Sequence, residues 1–573
     1  MKKLSLISVI IISIVLIQFR LTQSGIVEDR PLKITTWDAF GYYVYLPSIF
    51  IYNDFKQLEW LQSIDEKYEV TGGDGWQAIK LENGNYTFKY LGGVAIMELP
   101  LFFIGHFIAL NSDFPADGFS PPYQYALGFG IIVYIILSLL LLRKILLGYF
   151  SDFTTALTLL LVCLASNFIQ YAAVDNAQSH AYIFPLYVII LFATIRWHQK
   201  PKLLWAGIIG YTIGLATMSR PTEAIMLFIP LLWNTNTKDA AKRKWNLVRE
   251  NKSHVLFAAL FGFIGVLPQL IYWKISTGSF IYDVGSKWLF LNPYFRVLFG
   301  WEKGWFIYTP VTVFFVAGFF FLRKWPFKNS VLWFCLLNIW IIIAWSDWRY
   351  GGSYSTRALM QSYPVFALSL GALIENIKAV RWKVGFLILG SYLIFVNLFQ
   401  VHQYSKTILH FNDMNRKYYG RIYLNPNPSP LDMSLLDTEE FLHNEKAYKK
   451  QLLNESNEKR PVEFSAQDSA VLLSLRIADT RPDERWLQVE TEIKAPDHLW
   501  NSYLNAALRI EDTVKRTSIR LYRPLAKNAA ANKYTFYFKV PADFSGGIFE
   551  IYLTASGDFR GEVNRISVME FEK

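Results

Sequence analysis

Long apolar runs separated by short polar stretches fill the first two thirds of the chain. A run of about 17 to 25 apolar residues is long enough to cross a bilayer as a helix. Residues 4–22, 125–142, 154–173, 180–196, 203–218, 221–234, 254–274, 306–322, 330–345, 358–377 and 383–400 each read as a crossing, eleven in all. A further run, 92–110, carries Glu98 and His106 and is flanked by acidic, proline-rich sequence. Beyond residue 402 the pattern changes. Polar sequence to about residue 465 gives way to short runs with partial period-two alternation at 469–478, 485–495, 505–524, 534–541, 547–556 and 562–571. Turn signals such as Ala495-Pro496-Asp497 and Ser545-Gly546-Gly547 separate them, the signature of a small β-sandwich. The pattern predicts a mostly α, polytopic membrane bundle over 1–400, a linker over 401–465 and a β-sandwich over 466–573.

Loop charge fixes the expected direction of the crossings. The loops at 143–152, 196–202, 235–252, 323–329 and 376–383 hold the clusters of Lys and Arg, as does the terminus at Lys2-Lys3. Basic loops stay in the cytoplasm. Both conditions hold together only if 92–110 does not cross, so it is expected to lie along the outer face, with Glu98 and His106 sharing one side of it. Eleven crossings then put the β-sandwich outside. The first span is read as an uncleaved anchor, since no small-x-small cleavage site follows it. Residues 23–122 form an outer loop with thirteen Asp and Glu against six Lys and Arg, too long for a mere connector.

Composition agrees with the pattern. Hydrophobic residues make up 53% of the 573 and charged ones only 18%, which excludes a disordered chain. The net charge of +11 would suggest nucleic acid in a soluble protein, but here it marks topology. Cys163 and Cys335 both sit in apolar runs, so no disulfide framework is expected.

Ionisable groups in or beside a bilayer are costly and default to functional candidates. Asp38 follows the first span within an aromatic stretch that includes Tyr42 and Tyr43. A carboxylate there can take a proton from an acceptor hydroxyl or amine. Three outer segments set cations among aromatic residues: Arg220 with Glu223, Lys303, and Arg349 and Arg357 around Gly351-Gly352. Arg presents a planar fork suited to phosphate oxygens, and glycine lets backbone N–H groups approach an anion. His180 opens a span on the same side, five residues after Asp175, and is a candidate for hydrogen bonding to substrate. Each of these residues also has a plain structural reading as an interfacial charge, a snorkelling cation or a helix-start histidine. No Walker loop, Gly-x-Gly-x-x-Gly fingerprint, His-x-x-x-His or Cys-x-x-Cys pair is present.

The order of these features resembles the GT-C superfamily of polyprenyl-phosphate-sugar-dependent glycosyltransferases. The chain is similar to bacterial relatives of protein O-mannosyltransferases and of the lipid A aminoarabinose transferase. The segments at Asp38–Pro47, Phe119–Gln124, Ser179–Tyr182, Ser219–Thr222, Gly304–Pro310 and Gly351–Arg357 carry the resemblance, over roughly residues 1–400. It implies a bacterial inner-membrane enzyme with Asp38 as the catalytic carboxylate and inversion at the sugar carbon. Arg220, Lys303, Arg349 and Arg357 would hold the phosphate of the donor lipid, and Tyr42, Tyr43 and His180 would contact substrate. The acceptor is a lipid-linked glycan, lipid A or a protein. Many members place a second acidic residue beside the catalytic Asp, whereas here its neighbours are Trp37 and Ala39, and no metal or other cofactor is expected. The tail resembles carbohydrate-binding β-sandwich modules. Competing readings are a lipid-linked oligosaccharide transporter or flippase, which inverted repeats and broken helices at midplane would favour, and an O-antigen ligase-like protein, which calls for a larger outer loop than 275–305.

Overall fold

Every apolar run carries helix in the computed structural model, but not always a single helix. The residues described are 3–23, 32–73, 75–466, 468–477, 484–495, 501–510, 513–521, 532–542 and 546–573. Seven runs form unbroken helices: Leu4–Gln23, Pro121–Leu146, Ser179–Gln199, Leu203–Ser219, Lys252–Thr277, Lys328–Ile343 and Val380–Ser405. The other four break. The run at 154–173 splits into Asp152–Leu164 and a π-type turn, Gln170–Val174. That at 221–234 is a 3-10 turn, Pro221–Leu227, followed by Phe228–Leu232. Trp305–Tyr308, Thr312–Ala317 and Gly318–Phe321 share the run at 306–322, around Pro310, and Arg357–Met360 and Tyr363–Asn376 share that at 358–377. Carbonyls freed by a break in an apolar setting need donors. Asn397 supplies them at 165, donating from Nδ2 to Leu164 O at 2.9 Å and Ser166 O at 2.8 Å.

Among the described residues, six helices are long and apolar enough to cross a bilayer, and Gly93–Leu110 is one of them. Shorter apolar helices supply the remaining runs, so length does not by itself yield eleven crossings. Small residues let two helices touch along their backbones. A Cβ on Gly210 would fall 1.9 Å from Ala258 O, and one on Gly214 would fall 2.2 Å from Gly262 O, which seats Leu203–Ser219 against Lys252–Thr277.

The segment between Leu4–Gln23 and Pro121–Leu146 folds around aromatic residues. Short helices Asp38–Tyr43, Tyr45–Phe50 and Leu61–Tyr68 precede an antiparallel hairpin of β1 (Ala78–Lys80) and β2 (Tyr86–Phe88), and Gly93–Leu110 follows. Phe40, Tyr43, Tyr45, Trp60, Phe88, Phe102, Phe119 and Tyr123 form its aromatic core. Glu98 departs from expectation. It does not face water but is fully buried on the inner side of its helix, whereas His106 is half-buried with Nδ1 2.5 Å from Tyr123 Oη.

His402–Lys573 is a second compact unit, distinct from Met1–Val401. Its strands are β3 (Lys449–Ser456), β4 (Arg460–Phe464), β5 (Ser469–Ile477), β6 (Arg485–Lys494), β7 (Ser502–Ile510), β8 (Thr513–Arg520), β9 (Asn532–Lys539), β10 (Gly547–Ala555) and β11 (Phe559–Glu572). One sheet runs β5-β10-β7-β8 and the other β3-β11-β6-β9, with β4 also paired to β11. Leu504, Leu508, Phe549 and Ile551 of the first sheet share a core with Leu487, Val489, Phe536 and Phe538 of the second, which makes a sandwich. The sandwich starts earlier than 466. Strands β3 and β4 fall in the stretch expected to be linker, because their outward residues are polar and β3 is exposed along most of its length. The run at 505–524 yields two antiparallel strands, β7 and β8, while its residues 511–512 and 522–524, and residues 496–497 and 545 of the predicted turns, lie outside the described residues. Arg520 pins the segment before the strands, donating to Asp437 at 2.7 Å and Asp413 at 3.0 Å.

Candidate active site

Asp38 opens the short helix Asp38–Tyr43. Trp37 before it is left-handed, with φ 55°, and its ring fills the space over Gly72, where a Cβ would come within 2.6 Å of it. The Asp38 carboxylate accepts two hydrogen bonds: from Tyr90 Oη to Oδ1 at 2.7 Å and from Arg357 Nη2 to Oδ2 at 2.5 Å. Tyr90 reaches it because residue 41 is glycine, where a Cβ would lie 2.2 Å from the Tyr90 ring. The Asp38 side chain keeps 24% of its surface and that of Arg357 10%. Burial pushes the Asp38 carboxyl upward, but the Arg357 charge, the hydrogen bonds from Tyr90 and Arg357, and the Lys89 charge outweigh it and hold the group below the ordinary carboxylate value.

Arg357 begins a short helix after a loop with three left-handed residues, Tyr350, Gly351 and Ser355. Its Nη1 donates to Gln178 Oε1 at 2.6 Å, and its Nε is buried with no partner among the described residues. Lys303 acts on this loop from beneath. Its buried ammonium donates to Arg349 O at 2.8 Å and to Gly351 O, and a Cβ on Gly351 would lie 3.5 Å from Arg357 Nη2. Lys303 thus braces the turn that borders Arg357. Arg349 is exposed, with its guanidinium 5.1 Å from the Trp348 ring.

A second polar group adjoins the first. Arg220 caps Leu203–Ser219, whose end is met by the start of Gly93–Leu110, where a Cβ on Gly93 would be 2.4 Å from Ser219 Oγ. Arg220 Nη1 lies 3.2 Å from His180 Nδ1, and the same nitrogen lies 2.8 Å from Gln361 Oε1. Gln361 Nε2 and Tyr187 Oη both donate to the carboxylate of Glu223, which is 2% exposed. Tyr42 adjoins the first group, its ring standing edge-on to Tyr90 at 4.6 Å.

The candidates therefore divide. Asp38 and Arg357 are in contact, Tyr42, His180 and Arg220 stand beside them, and Lys303 reaches the site only through backbone carbonyls. Tyr43 points the other way, its hydroxyl donating to Gly118 O at 2.5 Å within the loop core. Tyr90, Gln178, Gln361 and Tyr187 are residues that sequence reasoning missed. They are neutral, common in such sequence and far along the chain from their partners. Among the described residues no three of His, Cys, Asp and Glu cluster to hold a metal ion. What the arrangement offers is one carboxylate able to accept a proton, beside guanidinium groups able to hold an anion.

Fold and site together define a multi-pass helical membrane protein with a carboxylate–guanidinium centre at one end of its bundle, followed by a β-sandwich. No family model matches the chain, and neither does any curated protein sequence. Among solved structures, its fold is similar to that of the Archaeoglobus fulgidus oligosaccharyltransferase in the apo form, at 12% identity and a TM-score of 0.43 over 74% of this chain and 58% of that one. It is similar also to ArnT from Cupriavidus metallidurans in the apo state, at 12% identity and 0.43 over 72% and 68%. A third is the arabinosyltransferase EmbB from Mycobacterium smegmatis, at 10% identity and 0.26 over 77% and 57%. The chain spans less than two thirds of the length of the oligosaccharyltransferase.

Proposed function

We propose that the chain is an integral-membrane glycosyltransferase that moves a sugar from a polyprenyl-phosphate carrier to a lipid-linked glycan, lipid A or protein at the outer face of a bacterial inner membrane. The observation that carries this reading is the Asp38–Arg357 pair at one end of the bundle, flanked by Arg220 and His180. In the reaction the acceptor oxygen or nitrogen attacks the anomeric carbon and its proton passes to Asp38. The bond from that carbon to the phosphate oxygen breaks, with its electron pair staying on the phosphate. Charge grows on the leaving phosphate, so guanidinium groups aimed there act on the transition state more than on the ground state. Arg357 serves both partners. A phosphate that competes for its fork relieves Asp38 of the contact that depresses its basicity, so arrival of the donor readies the base. Lys303 keeps the 349–351 turn in place.

The test is purified protein with a panel of radiolabelled polyprenyl-phosphate sugars and membrane extract. Label should move to an acceptor with the parent chain and not with Asp38→Asn, while both insert normally. Retained turnover in Asp38→Asn removes that residue from the catalytic role.

A further inference from the structure

We infer that residues 288–299 are a membrane-seated segment that does not cross: its apolar tip beds at the acyl boundary of the leaflet on the Asp38–Arg357 side and sets the depth of the loop that carries Arg357. The occupant of this surface is the bilayer itself, so the inference rests on the apolar bundle and not on the glycosyl-transfer reading.

The sequence between Asp283 and Glu302 holds no acidic residue, and its charges are Lys287 and Arg296, the reverse of the acidic balance over 23–122. The segment is hung from the end of the helix Lys328–Ile343. Leu289 N–H donates to Ala344 O at 2.6 Å, Tyr294 N–H to Ile343 O at 2.7 Å and Ser346 N–H to Lys287 O at 2.9 Å. Its large side chains stay uncovered: Leu291 is fully exposed, and Leu289, Phe290, Phe295 and Phe299 keep 40–59% of their surface. On Lys328–Ile343 itself Trp333, Leu336 and Trp340 are exposed at spacings of three and four, one apolar stripe along a face that lipid covers. The tip continues that stripe past the helix end. In water such a patch is costly, whereas a leaflet removes the cost by taking it into the acyl boundary. Lys287 and Arg296 then lie where lipid phosphates attract them, and Arg296, 4.7 Å from the Trp348 ring, sits in the aromatic company typical of that level. The same segment holds both ends of the loop before Arg357, at Ser346 and at Thr356, whose Oγ1 donates to Val297 O at 2.8 Å. Depth in the leaflet is thereby passed to Arg357.

Both cysteines of the chain, Cys163 and Cys335, are buried, so a fluorophore can be placed on one introduced thiol, with the parent chain as the blank. Full-length Leu291→Cys carrying an environment-sensitive fluorophore, in nanodiscs of phosphatidylethanolamine and phosphatidylglycerol, is exposed in turn to nitroxide-bearing lipid and to aqueous iodide. Quenching by the lipid should exceed quenching by iodide about threefold or more, and the order should reverse for Glu59→Cys, exposed in the acidic segment. Phe295→Cys serves if Leu291→Cys does not insert. A fluorophore at Arg349→Cys reports the loop: adding Phe290→Asp, or Leu289→Asp if the first does not insert, should carry it toward water and raise iodide quenching about twofold. Iodide quenching without lipid quenching at 291 overturns the inference. So does a fluorophore shielded from both, which would mean that protein, a second copy included, covers the tip, and so does an Arg349→Cys signal that the aspartate leaves unchanged. None of these readings uses turnover, so a chain that transfers no sugar counts against the glycosyl-transfer reading alone.

Discussion

Asp38 lies 319 residues from Arg357 and 52 from Tyr90, and the three meet through one carboxylate. Its charge state is set by the balance of two opposed effects. Because the neighbouring cation outweighs burial, the folded carboxyl titrates below its unfolded value of about 3.9. The pair's contribution to stability is therefore fully present above that unfolded value and is lost as pH falls through the lower folded one. Tyr90→Phe removes one of the two donors and should move the acid limb of the pH–rate profile upward, with transfer slowed about two- to tenfold. Arg357→Ala goes further. Burial then dominates, the carboxyl rises above its ordinary value, and the loss of stability should reach about 2–4 kcal/mol, less than for a fully enclosed pair because Asp38 is partly open to solvent. Thermal unfolding in detergent checks the second figure. Donor binding should weaken more than acceptor binding, and an effect confined to the acceptor removes Arg357 from the phosphate.

At the scale of elements, the site depends on how closely short helices approach one another. Asp38–Tyr43 accommodates Tyr90 only because Gly41 has no side chain. Gly41→Ala should displace the Tyr90 ring and reproduce the pH shift of Tyr90→Phe without touching a polar atom, which a pH–rate profile of the two variants tests side by side. Much at this scale was legible in advance. Long apolar runs have few options in lipid, so the helices followed from composition, and Asp38, Arg220 and Arg357 stood out because charge beside apolar sequence is costly. The breaks did not stand out. Ser166 and Asn167 look like ordinary polar residues until Asn397, more than two hundred residues on, is seen to take the freed carbonyls. Tyr43 was misdirected for a simple reason: neighbours on a helix point about 100° apart, so the turn that sets Tyr42 at the site sets Tyr43 in the loop core. Lys303 was legible as a buried cation but not as a brace, because its acceptors are backbone oxygens, which no side-chain pattern reveals.

For the whole molecule, the direction of the bundle decides where donor and acceptor are met. Contacts gather the basic loops at one end. Ser151 hydrogen-bonds Glu375 at 3.0 Å, Asn329 hydrogen-bonds Thr235 O at 2.7 Å, and the backbone N–H of Leu4 donates to Asp152 at 2.9 Å. The carboxylate centre occupies the other end, following Leu4–Gln23 and preceding Pro121–Leu146 in the chain. Gly93–Leu110 lies between those two helices in the chain. Tyr90, just before it, touches Asp38, while Gly118, eight residues after it, accepts from Tyr43 and packs on Pro47. With both flanks tied to the Asp38 segment, this helix should leave and return at one end, although it is long and apolar enough to cross. Since basic loops remain cytoplasmic, Asp38 should face the periplasm. A phosphatase reporter fused after Lys573 should then be active outside, while one inserted in the basic loop at 235–252 should be inactive. A cytoplasmic signal from the Lys573 fusion, with the loop reporter unchanged, would mean an even number of crossings after residue 252 and would place one of the broken helices beyond it, such as Thr312–Ala317 with Gly318–Phe321, in the membrane without passing through it.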